Sequence, residues 1–219
     1  MNILRITIAL ACSLPLLLSN TGCASHRIEI AEQFGYAKRA QLVDRVEDAR
    51  DDQAEAKEQF ASALEAFSSL TNFDGGDLER QYRTVDRELR RSEARASDVR
   101  ERIASVRRVG DALFDEWRTE LNQYDSPSLR AASEDQLRQT ERLYEDLVAA
   151  MDRAASKMDP VLAAFRDQTL FLKHNLNARA IASLEGQLDI LERDIAVLID
   201  DMERSIAEAN QFIDALGQS

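Results

Sequence analysis

The sequence predicts an all-α protein, an elongated antiparallel bundle of about four long helices arranged as coiled-coil hairpins, and three observations carry that prediction. Breakers are scarce: 7 glycines and 3 prolines in 219 residues leave few places where a helix must stop. Aromatics make up only 6% while Ala, Leu, Glu, Asp, Arg and Gln dominate, the profile of long helices rather than of a thick globular core. Apolar or small residues recur at alternating steps of four and three through most of the chain, which is the stripe one helix buries against another.

The N-terminal element is a leader. Arg5 provides a short positive segment, and Ile6 to Leu18 form an apolar run of 13 residues, the size of a signal-peptide core and short of the ~20 that a spanning helix needs. Thr21-Gly22 stand directly before Cys23, an arrangement similar to the lipobox of bacterial lipoproteins, whose cysteine becomes the new N-terminus and is acylated, with palmitate among the acyl groups. Asn20 departs from that motif, which usually has an aliphatic residue there. The expectation is a lipoprotein signal peptide over 1–22, a lipidated Cys23, a membrane-proximal segment over 23–36 and a helical domain over 37–219. The alternatives are an ordinary secretory signal cut nearby or a retained anchor helix. Cys12 lies inside the apolar run and would leave with it, so the mature chain would have neither a disulfide nor a free thiol. Acyl chains contribute about 0.8 kcal/mol per buried CH₂, enough for several chains to hold the protein stably. Ala24-Ser25 lacks the Asp that commonly retains lipoproteins of Gram-negative bacteria at the inner membrane, so the resemblance implies the outer membrane. Ile28 to Tyr36, with Phe34 and Gly35, either lies against lipid or begins the first helix.

Helix 1 is expected from the stripe Leu42, Val46, Ala49, Gln53, Ala56, Phe60, Ala63, Phe67 and Leu70. Asp74-Gly75-Gly76-Asp77 then supplies glycine for a left-handed helix end and Asp77 as an N-cap, so the chain should reverse. Helix 2 repeats the stripe from Leu78 through Val85, Leu89, Ser92, Ala96, Val99, Ile103, Val106, Gly110 and Leu113 to Trp117. With the turn centred near Gly75, residues whose numbers total about 150 should face each other across the hairpin. A second break is expected at Tyr124-Asp-Ser-Pro-Ser128, where Ser126 can cap and Pro127 takes the first helical position, whose N–H no helix needs. Helix 3 follows through Leu137, Tyr144, Met151, Met158 and Phe165 to Leu172. Pro160 lies inside it at a cost of about 3 kcal/mol, so a kink or short break is expected near Asp159. Lys173-His-Asn-Leu-Asn177 is a weak breaker before helix 4, which runs through Leu191, Leu198 and Phe212. All four helices should be of similar length, about 40 to 47 residues. The alternative is one continuous helix from Pro160 to the end.

Charge bears on the pairing. Helix 1 has 3 basic and 8 acidic residues between Leu42 and Leu70, whereas helix 2 has 10 arginines and 6 acidic residues between Leu78 and Gly110. Those two should attract. Helix 4 is also acidic, which weighs against its lying beside helix 1 in a square bundle unless it sits nearer helix 2.

Several stretches carry a family resemblance: Leu42-Val-Asp-Arg-Val-Glu-Asp-Ala-Arg50, Phe73-Asp-Gly-Gly-Asp-Leu78, Ala112-Leu-Phe-Asp-Glu-Trp117, Lys157-Met-Asp-Pro-Val161, and the run from Leu172 to Leu184. They resemble the bacterial family catalogued as domain of unknown function 2959, over nearly the whole mature chain. The resemblance implies a helical protein with a lipoprotein-type signal. No activity is established for that family, so it implies no catalytic residues.

The formal charge of −12, one unit more negative once Arg5 leaves, argues against nucleic acid as a partner. Two histidines, His26 and His174, supply almost no material for a metal site or a Ser-His-Asp triad, and no glycine-rich phosphate loop is present. No catalytic, metal-binding or cofactor-binding residue is expected, and the chain is not expected to be an enzyme. Glu47-Asp48 with Asp51-Asp52 puts carboxylates four apart on one helix face. A solvated outer face explains them better than a loosely held divalent cation does. Trp117 lies on the stripe and is expected in the core. The candidate docking junction is the cluster Phe171, His174, Asn175 and Asn177: either its amides cap helix ends, or it docks a partner. The function expected is that of a helical scaffold or protein-interaction module, anchored by Cys23 in the outer membrane and facing the periplasm. Its partners would be a membrane through the lipid and a protein of the envelope, with a homo-oligomer compatible. The alternative is a lipid-handling or accessory subunit of an envelope complex, opening between helices 3 and 4.

Overall fold

The computed structural model describes the backbone of residues 23–72 and 77–217 and, within those ranges, side chains from residue 37 onward except those of residues 178 and 185. The signal segment over 1–22 and the glycines of the first turn lie outside the described residues, as does the Cys23 side chain. The chain divides into two units, Met1–Phe34 and Gly35–Ser219. In the first, residues 23–34 are helical.

The second unit is a bundle. Its helices are α1 (Cys23–Thr71, of which the residues from Gly35 belong to the bundle), α2 (Leu78–Glu120), α3 (Pro127–His174), the short α4 (Ala178–Ala182) and α5 (Glu185–Gly217), with one 3₁₀ turn over Leu121–Gln123. No strand occurs among the described residues. The capping signals act as expected: the Asp77 side chain accepts from the Arg80 amide, and that of Ser126 from the Leu129 amide ahead of Pro127.

Side-chain pairs fix the packing. Between α1 and α2, Arg95 meets Glu55 at 2.6 Å and Arg102 reaches Asp48 at 3.4 Å, and in both pairs the residue numbers total 150. The hairpin register read from the sequence is therefore the observed one. Between α2 and α3, Arg118–Glu141, Arg107–Asp152, Arg100–Asp159 and Glu93–Arg166 all total 259, a second antiparallel pair. Gln168 and Gln187 join α3 to α5, while Arg50–Asn210 and Lys57–Glu203, both totalling 260, close α5 onto α1. On the diagonal, Phe67 of α1 meets Phe165 of α3 edge-to-face at 6.0 Å. The result is an up-down-up-down four-helix bundle with the stripes inside: Leu42, Val46, Phe60, Phe67, Leu147, Met151, Met158, Leu172, Leu198 and Met202 are fully enclosed.

Three expectations need correction. Helix 3 does not break at Pro160. The proline is exposed, while Met158 and Val161 on the opposite side are buried in the core, so packing holds the helix through the missing amide. The continuous helix from Pro160 to the end is also excluded, because the chain leaves helical geometry at Asn175 and reverses. Nor are the four long helices alike in length: α5 has 33 residues and α3 has 48, because the α4 turn takes up the start of the final segment.

The electrostatic objection to a square bundle also fails, since acidic α5 does lie beside acidic α1. Summed charge misleads here because the facing flanks carry few of the acids. Toward α5, α1 presents Arg50 and Lys57 with partly buried Leu64, and α5 answers with Glu203, Asn210 and partly buried Ile199 and Ile213. Of the other acids, Asp48, Asp52 and Glu55 are paired with arginines of α2 and Asp201 with Arg204, and the exposed ones are screened by solvent and salt.

Candidate functional site

The junction between α3 and α5 is built by two asparagines. Asn175 ends α3: its backbone has left helical geometry (φ −129°, ψ 46°), its amide donates to the Leu172 carbonyl, and its side-chain Nδ2 donates to the Phe171 carbonyl at 3.0 Å. Asn177 is extended (φ −150°, ψ 160°), and its Oδ1 accepts from the Ala180 amide at 3.1 Å to start α4. Both amides therefore do the work of capping.

What the junction leaves over is apolar. Leu172 is fully enclosed and Leu176 half-buried, continuing the core stripe. Leu170 and Phe171 point outward, 56% and 42% exposed, with His174 exposed on the same last turn. Of the four residues singled out from the sequence, Asn175 and Asn177 are structural caps, and Phe171 and His174 offer free surface together with Leu170. Leu170 was legible in the apolar run 170–172: three consecutive apolar residues cannot all face one seam of a helix.

A second feature was not legible in the sequence. Between α2 and α3 lies a surface recess of about 360 Å³, with Phe114 and Tyr144 as its floor and Asp111, Asp115, Glu141, Glu145 and Arg118 as its rim. Arg118 bridges Asp115 at 2.9 Å and Glu141 at 2.6 Å, pairing with two of the four rim carboxylates and offsetting one of their four charges. Burial, and secondarily the Asp111 carboxylate, push the Tyr144 phenol up to about 12. At neutral pH it is therefore a hydrogen-bond donor and no base, and its Oη lies 3.5 Å from the Arg107 carbonyl oxygen. The floor exists because α2 has no side chain at Gly110. A Cβ there would stand 2.5 Å from Tyr144 Cζ and Oη.

The acidic run of α1 is solvated in part: Asp51 faces solvent, whereas Asp52 is largely covered. Asp48 and Asp52 turn toward α2 and share Arg102, whose Nε donates to Asp52 at 2.7 Å and whose Nη1 donates to Asp48 at 3.4 Å. The Asp52 bond holds the Arg102 guanidinium above its ordinary range, with the charges of Asp52 and Asp48 adding to the effect. The signal was present in the sequence as two carboxylates four apart opposite an arginine in the hairpin register. No cluster of residues arranged to hold a metal ion occurs among the described residues. No helix among them is long and apolar enough to cross a membrane. At the other end of the hairpin, Trp117 is core as expected, 7% exposed, with Nε1 donating to Ser133 at 2.9 Å and Arg39 stacked 4.3 Å over the ring.

A family model described as "Protein of unknown function (DUF2959)" matches residues 28–216. No curated protein matches the chain.

Proposed function

The chain belongs to the DUF2959 family, and from that premise we propose that it is a lipid-anchored helical protein-interaction module of the bacterial cell envelope. It is held through acylated Cys23 in the outer membrane, faces the periplasm and acts as a scaffold, spacer or assembly factor. The observation that carries this reading is the apolar run Ile6 to Leu18 ending in Thr21-Gly22-Cys23. The bundle adds support. Within the bundle the Lys38–Glu116 pair marks one end of the α1–α2 hairpin, while Leu170 and Phe171 lie toward the other, about 40 Å away along the helices. An exposed apolar patch toward one end of a long bundle is a surface that a scaffold could present for docking. A lipid-handling reading requires α3 and α5 to part, and Phe165, Leu172, Leu191 and Ile195 already fill that seam.

Mass spectrometry of the N-terminal peptide from membranes tests the anchor, with acylated Cys23 the expected species. An unmodified Cys23, or unchanged membrane fractionation of Cys23→Ala, would overturn it. Photocrosslinking in cells from position 171 tests the docking end; a discrete protein adduct is expected, and lipid as the sole adduct would favour the alternative.

A further inference from the structure

Among the described residues nine polar or charged side chains are buried in the bundle, and seven of them have partners. Ser92, Thr140 and Thr169 donate back to the carbonyl four residues earlier, and Thr71 to the one three earlier, as helix hydroxyls commonly do. Glu88 is held by Gln59 and Arg91, Gln168 by Gln187, and Asp201 by Arg204. Gln53 and Ser205 are the exceptions. Both are completely enclosed, and Gln53 Oε1, Gln53 Nε2 and Ser205 Oγ have no hydrogen-bond partner.

The two are not scattered. Gln53 lies on α1 between Arg50 and Lys57, and Ser205 lies on α5 between Glu203 and Asn210, the very residues paired across that interface. Their numbers total 258 against 260 for those pairs, so they occupy one layer in the middle of the core. Five alanines, Ala49, Ala56, Ala96, Ala154 and Ala209, are enclosed at neighbouring levels, alongside the larger Val99, Met151, Met158 and Met202. Ser205 also declines the backbone bond that the other buried helix hydroxyls take, leaving its Oγ free to face the core.

Hydrogen-bond accounting selects what fits between them. A direct Gln53–Ser205 bond satisfies the hydroxyl and one end of the amide and strands the other end in an apolar core, which is costly. The structure has no direct bond between the two side chains; one water molecule can accept from Nε2 and from the Ser205 hydroxyl while donating to Oε1, leaving none of the three atoms orphaned. Buried water in proteins is found where several polar groups lack protein partners. We propose that Gln53 and Ser205 form a buried water-binding site that joins α1 to α5 at mid-bundle. The site also sets register. A slide of α5 by one heptad would bring Leu198 or Phe212 opposite Gln53 and strip the amide of its partners.

The test is water-to-protein magnetisation transfer in the full-length protein carrying ¹⁵N-glutamine, read at the Gln53 side-chain amide. A cross-peak with the sign of a long-lived water is expected, lost in Gln53→Met and persisting in Ser205→Ala. A folded spectrum in which the Gln53 amide has no water cross-peak overturns the proposal. So does loss of the cross-peak in Ser205→Ala, since that would mean magnetisation relayed through the serine hydroxyl in a direct, dry contact. The Ser205→Ala arm removes only one oxygen, so it remains readable even where Gln53→Met fails to fold.

Discussion

Replacing Gly110 by alanine pits two effects of known size against each other. In an isolated helix the change is favourable by about 1 kcal/mol, because glycine is the costlier residue in a helix interior. In this bundle the new Cβ would stand 2.5 Å from Tyr144 Cζ and Oη, closer than any real contact. The ring is 8% exposed and packed against Phe114 at 5.1 Å and Phe212 at 6.2 Å between centroids, so it can yield only toward the recess and by giving up those contacts. Forcing α2 from α3 should cost about 1–3 kcal/mol as overpacking, and expelling the ring forfeits aromatic contacts of about 0.5–1.5 kcal/mol each. The steric loss outweighs the helix gain, leaving about 2 kcal/mol of net destabilisation, or about 4–8 °C in Tm for a chain of this size. Urea unfolding followed by far-ultraviolet circular dichroism measures it. The decisive arm is the Tyr144→Ala background, where the obstacle is gone and Gly110→Ala should change sign and stabilise by about 1 kcal/mol. A higher midpoint for Gly110→Ala in the wild-type background, or an equal penalty in both backgrounds, would refute the assignment of this glycine to close helix approach.

Three further predictions follow from other parts of the bundle. The Tyr144 phenol titrates near 12 when folded and near 10 when unfolded, so its contribution is intact below pH ~10 and is lost as pH rises toward ~12, by about 2–3 kcal/mol at the top. Stability profiles of wild type and Tyr144→Phe should diverge only in that window, and parallel profiles would show that the phenol is not held protonated. Cysteines at Ala56 and Ser92, with the native cysteines replaced, should form a disulfide across α1 and α2, because Arg95–Glu55 and Gln59–Glu88 bracket that level of the hairpin; a pair such as Ala56 and Val106 should stay reduced. At the junction, Leu172→Ala should cost about 2–5 kcal/mol in chemical unfolding as a fully enclosed leucine. Phe171→Ala should stay within about 0.5–1 kcal/mol, and a large loss there would place that ring in the core.

The candidate site was half legible. That residues 170–177 end one helix and begin another is written in Lys173-His-Asn-Leu-Asn177, since asparagine side chains readily satisfy orphaned amides and carbonyls at helix ends. Which members of the cluster remain free was not written there. Asn175 and Asn177 are consumed by capping, and Phe171 is left outside because Leu172 holds the seam position beside it. The Tyr144 recess was invisible in the sequence, because its residues come from two helices whose lateral spacing depends on the absence of one side chain at Gly110.

By itself the sequence determined the helical class, the core stripes, the caps at Asp77 and Ser126 and the register of the first hairpin, because each follows from interactions within a few residues or from the length of one turn. The tertiary structure decided what depends on which flanks meet. It carried α3 through Pro160 by burying Met158 and Val161 on the far side of the helix, a gain that local propensity cannot register. It set acidic α5 against acidic α1, since the short-range contacts Arg50–Asn210 and Lys57–Glu203 and the isoleucines beside them outweigh charges pointing into screening solvent. It also brought Gln53 and Ser205, 152 residues apart in the chain, into one layer. A stripe of apolar and small residues says that a position faces inward; only the packed bundle says what it faces.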